Sequence, residues 1–338
     1  MINKIYDKFK KFIKENYKEI IFLVLFYLFM TFPVPYYISV SGGTIDVGSR
    51  VEIENSYEEK GSFNLAYVSE LRGTIPTYLL SYVIPTWERT KVDSYQINED
   101  ETMDDITNRD KLYLYDANQS AIYVAYTKAG KTFIINNHHY YVYYVDNRAS
   151  KEIKVGDELL GVDDSKIVDL NKFREYIATK NVGDKLTIRL KRNGKEITTE
   201  TTIFEEENVK YAGLAFFDIL DYEVSPSIKL KFKSSETGPS GGLTTALAIY
   251  NKLTEEDITK GKKIVGTGTI SIDGTVGEIG GVKYKLLGAV KKKADVFLVP
   301  NGSNYDECIK LQKEKGYKIQ IIGVDTFNDA IEKLKELK

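Results

Sequence analysis

The stretch Thr237-Gly238-Pro239-Ser240-Gly241-Gly242, taken with Gly280-Gly281-Val282-Lys283-Tyr284-Lys285, decides how this chain is read. The first run sets a serine in a tight glycine and proline turn, just ahead of an apolar, helix-prone segment from Leu243 to Tyr250. A turn of that kind exposes a hydroxyl and aims backbone N–H groups of the helix start at whatever reacts with it. The second run places lysines at the start of another apolar-periodic segment. A hydroxyl nucleophile with an amine as its base is one solution to acyl transfer.

Composition removes the competing chemistries. The 338 residues include 2 histidines, His138 and His139, adjacent in a strand-like run where alternation turns their rings to opposite faces. A Ser-His-Asp triad would need one of them to reach in from another module. The single cysteine, Cys308, falls in a helix-like segment, Tyr305 to Lys315, with no histidine nearby. There is no zinc-ligand pattern and no G-x-x-x-x-G-K-[ST] phosphate loop, so no metal, ATP or organic cofactor is expected. A net charge of -2 gives no field to attract nucleic acid.

The N-terminal region, residues 1–45, reads as a cytoplasmic segment and a transmembrane anchor. Lys4, Lys8, Lys10, Lys11, Lys14 and Lys18 precede an uncharged run from Ile20 to Val40, about the length of a bilayer-crossing helix. Pro33 and Pro35 shorten its ideal helical part, and Tyr36-Tyr37 suits an interface. The lysine flank predicts a single-pass protein of the cell membrane, with everything after Val40 extracytoplasmic. The other reading is a cleaved leader, since Ser39-Val40-Ser41 is a small-x-small pattern.

Residues 46–120 show strand-like alternation with turns, a helix-like stretch between Pro76 and Pro85, and an acidic segment from Asn98 to Asp105. They read as an extracytoplasmic lead-in without chemistry of its own. In residues 121–204, strand-like Ile122 to Ala125 and Tyr140 to Val145 precede Val155-Gly156-Asp157-Glu158-Leu159-Leu160-Gly161-Val162-Asp163. A helical repeat follows at Leu170, Phe173 and Ile177, then a strand from Val182 into the hairpin turn Asn193-Gly194. This order resembles a PDZ domain. The resemblance implies that an extended peptide adds as a strand beside a groove helix at Leu170 to Thr179. No G-L-G-F-like carboxylate loop stands before the Tyr140 strand.

Residues 205–338 alternate strands and helices, which makes the class α/β. Four pieces come in order: Gly238 to Gly242; Thr267-Gly268-Thr269-Ile270 with Gly274-Thr275-Val276; Gly280 to Ala289; and Val296 to Asn301. Together they resemble the protease domain of the Lon family. With the N-terminal run and the PDZ-like module, the chain is similar to membrane-anchored, PDZ-containing Lon-like serine proteases. Spacing alone leaves Lys283 and Lys285 both open as the base. The family pattern G-G-x-x-x-K implies Lys285 as base, Ser240 as nucleophile and Thr267 as a hydrogen-bond partner of the lysine. Thr237 replaces an acid common in the family, and Glu236 stands beside it.

The resemblance thus implies an ATP-independent serine endopeptidase with a Ser-Lys dyad, acting on exported peptides or proteins and touching the lipid bilayer through its N-terminal helix. Oligomeric state stays open. The alternative is a non-catalytic PDZ adaptor at the cell surface that binds peptides.

Overall fold

The computed structural model describes residues 2–98, 100–166, 169–233 and 236–338, and the chain divides into two compact units. The smaller runs through Ser41 and adds Val68–Tyr95; the larger joins Gly42–Tyr67 to Gln96–Lys338.

In the smaller unit, helix Ile2–Glu15 is followed by the apolar helix Tyr17–Thr31, none of whose residues is buried. The expectation of one transmembrane helix over Ile20 to Val40 is corrected here. The helix stops at Thr31, and Pro33–Asp46 is a strand that pairs antiparallel with Glu88–Lys91. Pro33 and Pro35 have no N–H to continue the helical ladder and push the residues before them to extended backbone. Tyr36, Tyr37 and Ile38 then favour the strand. No described helix is long and apolar enough to cross a membrane.

The larger unit holds a parallel run of strands in the order Gln320–Val324, Val296–Pro300, Lys263–Gly266 and the first residues of Ser62–Thr74. Val296 to Val299 are wholly buried, as expected of a parallel strand covered on both faces. Helices Gly242–Leu253, Val282–Lys291, Ser303–Lys315 and Phe327–Lys335 complete an α/β domain.

A long helix, Met103–Lys128, packs along Gly242–Leu253. Thr102 and Asp105 form a reciprocal capping box that starts it, at the acidic segment noted above. Ile122 to Ala125, expected as a strand, lie in this helix. Ala117, Ala121, Ile122, Val124 and Ala125 are all buried, so the apolar run marks a helix covered on several sides rather than a sheet strand. The same helix is pinned to the β-rich module. Asn108 Nδ2 donates to the Val155 carbonyl (3.3 Å) and Gln119 Nε2 to that of Asp218 (2.7 Å), while Leu220 N–H donates back to Gln119 Oε1 (2.8 Å).

That module is a sheet ordered Leu214–Ser225, Thr132–Val145, Glu158–Val162, Lys185–Arg192, Lys195–Thr202. Asn193 and Gly194 have φ of 50° and 77°, the turn that Asn-Gly favours between hairpin strands. Helix Leu170–Ala178 starts where the Asp169 carboxylate accepts from Asn171 N–H, and lays Phe173 and Ile177 into the module's core.

Candidate active site

The serine turn is built around two steric facts. Gly238 holds a left-handed φ of 87° and donates its N–H to the Asp110 carbonyl (3.3 Å) in the long helix. Gly241 and Gly242 lie so close to Leu65 and Ile270 that a Cβ on either would stand 2.8 and 2.7 Å from those side chains. Ser240 sits between Gly238 and these two glycines, half-buried, at the entrance to helix Gly242–Leu253. Among the described residues, neither Ser240 nor Gly241 N–H has a backbone acceptor, so both can turn toward a developing oxyanion.

A chain of hydrogen bonds ties this turn to one lysine. The Ser240 carbonyl accepts from Gly268 N–H (2.9 Å) and from the Thr267 hydroxyl (3.2 Å), and Lys285 Nζ donates to Thr267 Oγ1 (3.2 Å). Thr267 has one hydroxyl proton, and it goes to Ser240, so its oxygen must accept from the amine. A neutral Lys285 then keeps its lone pair for another proton. The contact that the resemblance implied between Thr267 and the lysine is therefore present.

Lys285 is 5% exposed and Thr267 is fully buried. Val282, Leu286 and Ala289 on the same helix belong to an apolar cluster with Ala66, Val265 and Phe297. Burial among them lowers the Lys285 pKa from 10.5 to about 8, because a desolvated ammonium is disfavoured. Lys283 is exposed, with its ammonium 4.9 Å from the Tyr284 ring centre. Gly281, with φ 66°, sets the start of this helix and so its rotation, which turns Lys285 inward and Lys283 out.

Other residues singled out in the sequence stand elsewhere. His138 Nδ1 faces the Asp218 carboxylate (2.9 Å) and His139 Nδ1 faces Glu158 (2.6 Å), both partners in the β-rich module. Cys308 is buried, and burial pushes its thiol up to about 12. Glu236 pairs with Arg50 (2.9 Å) and accepts from Lys233 N–H (2.7 Å), fixing the approach to the serine turn. Among the described residues, no cluster of three or more His, Cys, Asp or Glu side chains could hold a metal ion.

A second candidate site is a groove of about 700 Å³ in the β-rich module, between helix Leu170–Ala178 and the start of Leu214–Ser225. Phe173, Ile177, Leu214 and Phe216 give it an apolar floor, with Arg148 and Arg174 among its polar lining. Leu214–Ser225 is the end strand of its sheet; Gln119 takes its outer edge at Asp218 and Leu220, and among the described residues the part beside the groove, Leu214 to Phe216, has no strand partner on that side. The sequence reading missed part of this groove. Gly213-Leu214-Ala215-Phe216 is the kind of run sought before the Tyr140 strand, but it stands at the far end of the module in chain order. Pairing of Ala215 and Phe216 with the strand Thr132–Val145 returns it to the groove.

The geometry ties a buried lysine, through Thr267, to the backbone of a serine turn on an α/β domain, joined to a module with an apolar groove. Comparison with known proteins agrees at the level of domains. Residues 233–336 match the family profile of the Lon protease (S16) C-terminal proteolytic domain, and residues 130–203 match that of the PDZ domain. Lon protease of Campylobacter jejuni is 35% identical over 96 residues, which are 28% of this chain and 12% of that protein. Lon protease of Campylobacter concisus is 38% identical over 95 residues, 28% of this chain and 11% of its own length. The chain thus spans only about an eighth of the length of these relatives. Among solved structures, the PDZ domain of an SdrC-like protein from Listeria monocytogenes is similar at 21% identity, covering 23% of this chain and 85% of that one, with a TM-score of 0.22.

Proposed function

We propose that this protein is a serine endopeptidase that cleaves peptides or proteins without ATP, with Ser240 as nucleophile and Lys285 as general base. The observation that carries the reading is the buried chain from Lys285 Nζ through Thr267 Oγ1 to the Ser240 carbonyl. It links an amine of lowered pKa to the serine turn through one hydroxyl, which supports the reading.

In the reaction, Ser240 Oγ attacks the scissile carbonyl carbon as its proton passes to Lys285 Nζ. The carbonyl oxygen becomes an oxyanion, held by the N–H groups of Ser240 and Gly241. Collapse of that intermediate breaks the C–N bond, and the Lys285 ammonium returns the proton to the leaving amine. Water then attacks the ester carbon while giving a proton to Lys285. Release of the carboxylic acid restores the Ser240 hydroxyl, which takes that proton back.

The PDZ-like groove supplies an extended-peptide site and selects substrates by their apolar side chains. The protein acts outside the cytoplasm, held at a lipid bilayer by the exposed apolar helix Tyr17–Thr31. Its lysine-bearing neighbour Ile2–Glu15 remains on the inner side.

The test is digestion of a peptide mixture by the full chain in detergent, read by mass spectrometry, beside Ser240→Ala and Lys285→Ala. Cleavage by the wild type alone is expected. Cleavage by Ser240→Ala would move the nucleophile elsewhere. Peptide binding without cleavage by any of the three would favour the adaptor.

A further inference from the structure

We propose that residues Ile75–Trp87 form a second lipid contact, an apolar tip that docks onto the same bilayer face from which the chain emerges after Thr31. The proposal rests on the reading of Tyr17–Thr31 as a membrane-inserted helix and adds to it a surface with a different role.

Soluble proteins rarely leave consecutive large apolar side chains in water without a partner. Here Leu79, Leu80, Tyr82 and Val83 are 53, 47, 63 and 76% exposed. The backbone beneath them is ordered. Thr74 and Thr77 cap the helix Ile75–Leu80 reciprocally, and N–H groups of Tyr82, Val83 and Ile84 turn back to the Leu79 and Leu80 carbonyls at 2.9 to 3.1 Å. The exposed side chains are thus held out by a fixed turn. Around its base stand groups suited to a membrane–water boundary. The Arg89 guanidinium lies 3.8 Å from the Tyr82 ring centre, and the Tyr78 and Tyr82 hydroxyls are 2.9 Å apart.

Two observations choose lipid as the occupant. The tip is continuous with the apolar helix: Ile75–Leu80 contacts Tyr17–Thr31, and Tyr78 stacks near Tyr36, just beyond the helix end, with ring centres 4.9 Å apart. The helix is also short. Its 15 residues reach roughly 22 Å at 1.5 Å per residue, against a hydrocarbon core of about 30 Å. A span shorter than the hydrocarbon core leaves a mismatch that carries a cost, and neighbouring apolar surface can cover it. The tip supplies that surface where the chain leaves the helix.

Trp87, the chain's one tryptophan, sits at the base of the tip, and its backbone N–H donates to the Ile84 carbonyl (3.0 Å). It is a built-in depth gauge. The full chain, reconstituted into phosphatidylcholine–phosphatidylglycerol vesicles, would be floated on a density gradient. Its Trp87 emission would be read with bromines placed either near the glycerol backbone or near the acyl-chain ends. Flotation is expected, with quenching by the shallow bromines at least about twofold stronger than by the deep ones. Leu79→Asp with Val83→Asp is expected to abolish most of that quenching while flotation persists. Flotation with an unquenched Trp87 would overturn the tip and leave the helix reading standing. No flotation would overturn both. Trp87 emission that shifts with protein concentration, but not with lipid, would give the surface to a second copy of the chain and overturn the proposal.

Discussion

The serine turn and the PDZ-like groove, the two sites to which the proposed function assigns a peptide, are built in opposite ways. Around Ser240, two side chains, Lys285 and Thr267, and the Ser240 carbonyl form a single line of hydrogen bonds in a buried setting, where each member has one role. In the groove, contact is spread over an apolar floor and an open strand edge. The difference teaches where specificity and rate reside. A buried polar chain fails as a unit when one atom is lost, whereas a distributed surface loses affinity in small steps.

The sharpest way to break this contrast is at the dyad. Ser240→Ala and Lys285→Ala are each expected to lower kcat by roughly 10³-fold or more, with the fold retained by circular dichroism. A loss under about tenfold from either would end the comparison. Next comes stability. Below pH 8 the folded protein must hold a buried ammonium that the unfolded chain solvates freely. The penalty fades between about 8 and 10.5 and is gone above that range. Lys285→Met is therefore expected to raise unfolding stability at pH 7 by as much as roughly 3 kcal/mol, and not at all near pH 11, in urea titrations. By the same titration, wild-type kcat should climb about tenfold from pH 7 to 9, and a flat profile would remove the lysine base.

Thr267→Val removes the hydroxyl that joins the two ends. It leaves a buried amine and a carbonyl each short of a partner, and should cost about ten- to a hundredfold in kcat. Thr267→Ser should recover most of it. The smallest effect belongs to the groove. Ala178→Trp, at its exposed helix end, should raise KM about fivefold with kcat nearly unchanged. A kcat collapse there would show that the groove shares in the chemistry.

Much of this layout is legible in the sequence because glycines and strand runs carry local constraints. Val296 to Val299 needs two covered faces, and the turn at Gly238 to Gly242 needs small residues against Leu65 and Ile270. Helical spacing left Lys283 and Lys285 open, because what separates them is burial of one helix face, the face whose Val282, Leu286 and Ala289 pack with distant Ala66, Val265 and Phe297. Ile122 to Ala125 misled for the same reason: a helix covered on several sides reads like a strand when only apolarity is counted. The uncharged run to Val40 overstated the helix because hydropathy does not register the backbone veto of Pro33 and Pro35. Gly213 to Phe216 escaped notice because strand pairing, not chain order, brings it to the groove.

The pairing of Ser62–Leu65 with Lys263–Gly266 has a consequence for synthesis. The strand Ser62–Thr74 leaves the ribosome early, and its parallel partner follows only after the whole β-rich module has been made. Ser240 and Lys285 bracket that late partner, so the sheet beneath them closes only once nearly the full chain is available. A nascent chain can therefore complete the β-rich module, whose last strand ends at Ser225, before the sheet beneath Ser240 and Lys285 can close.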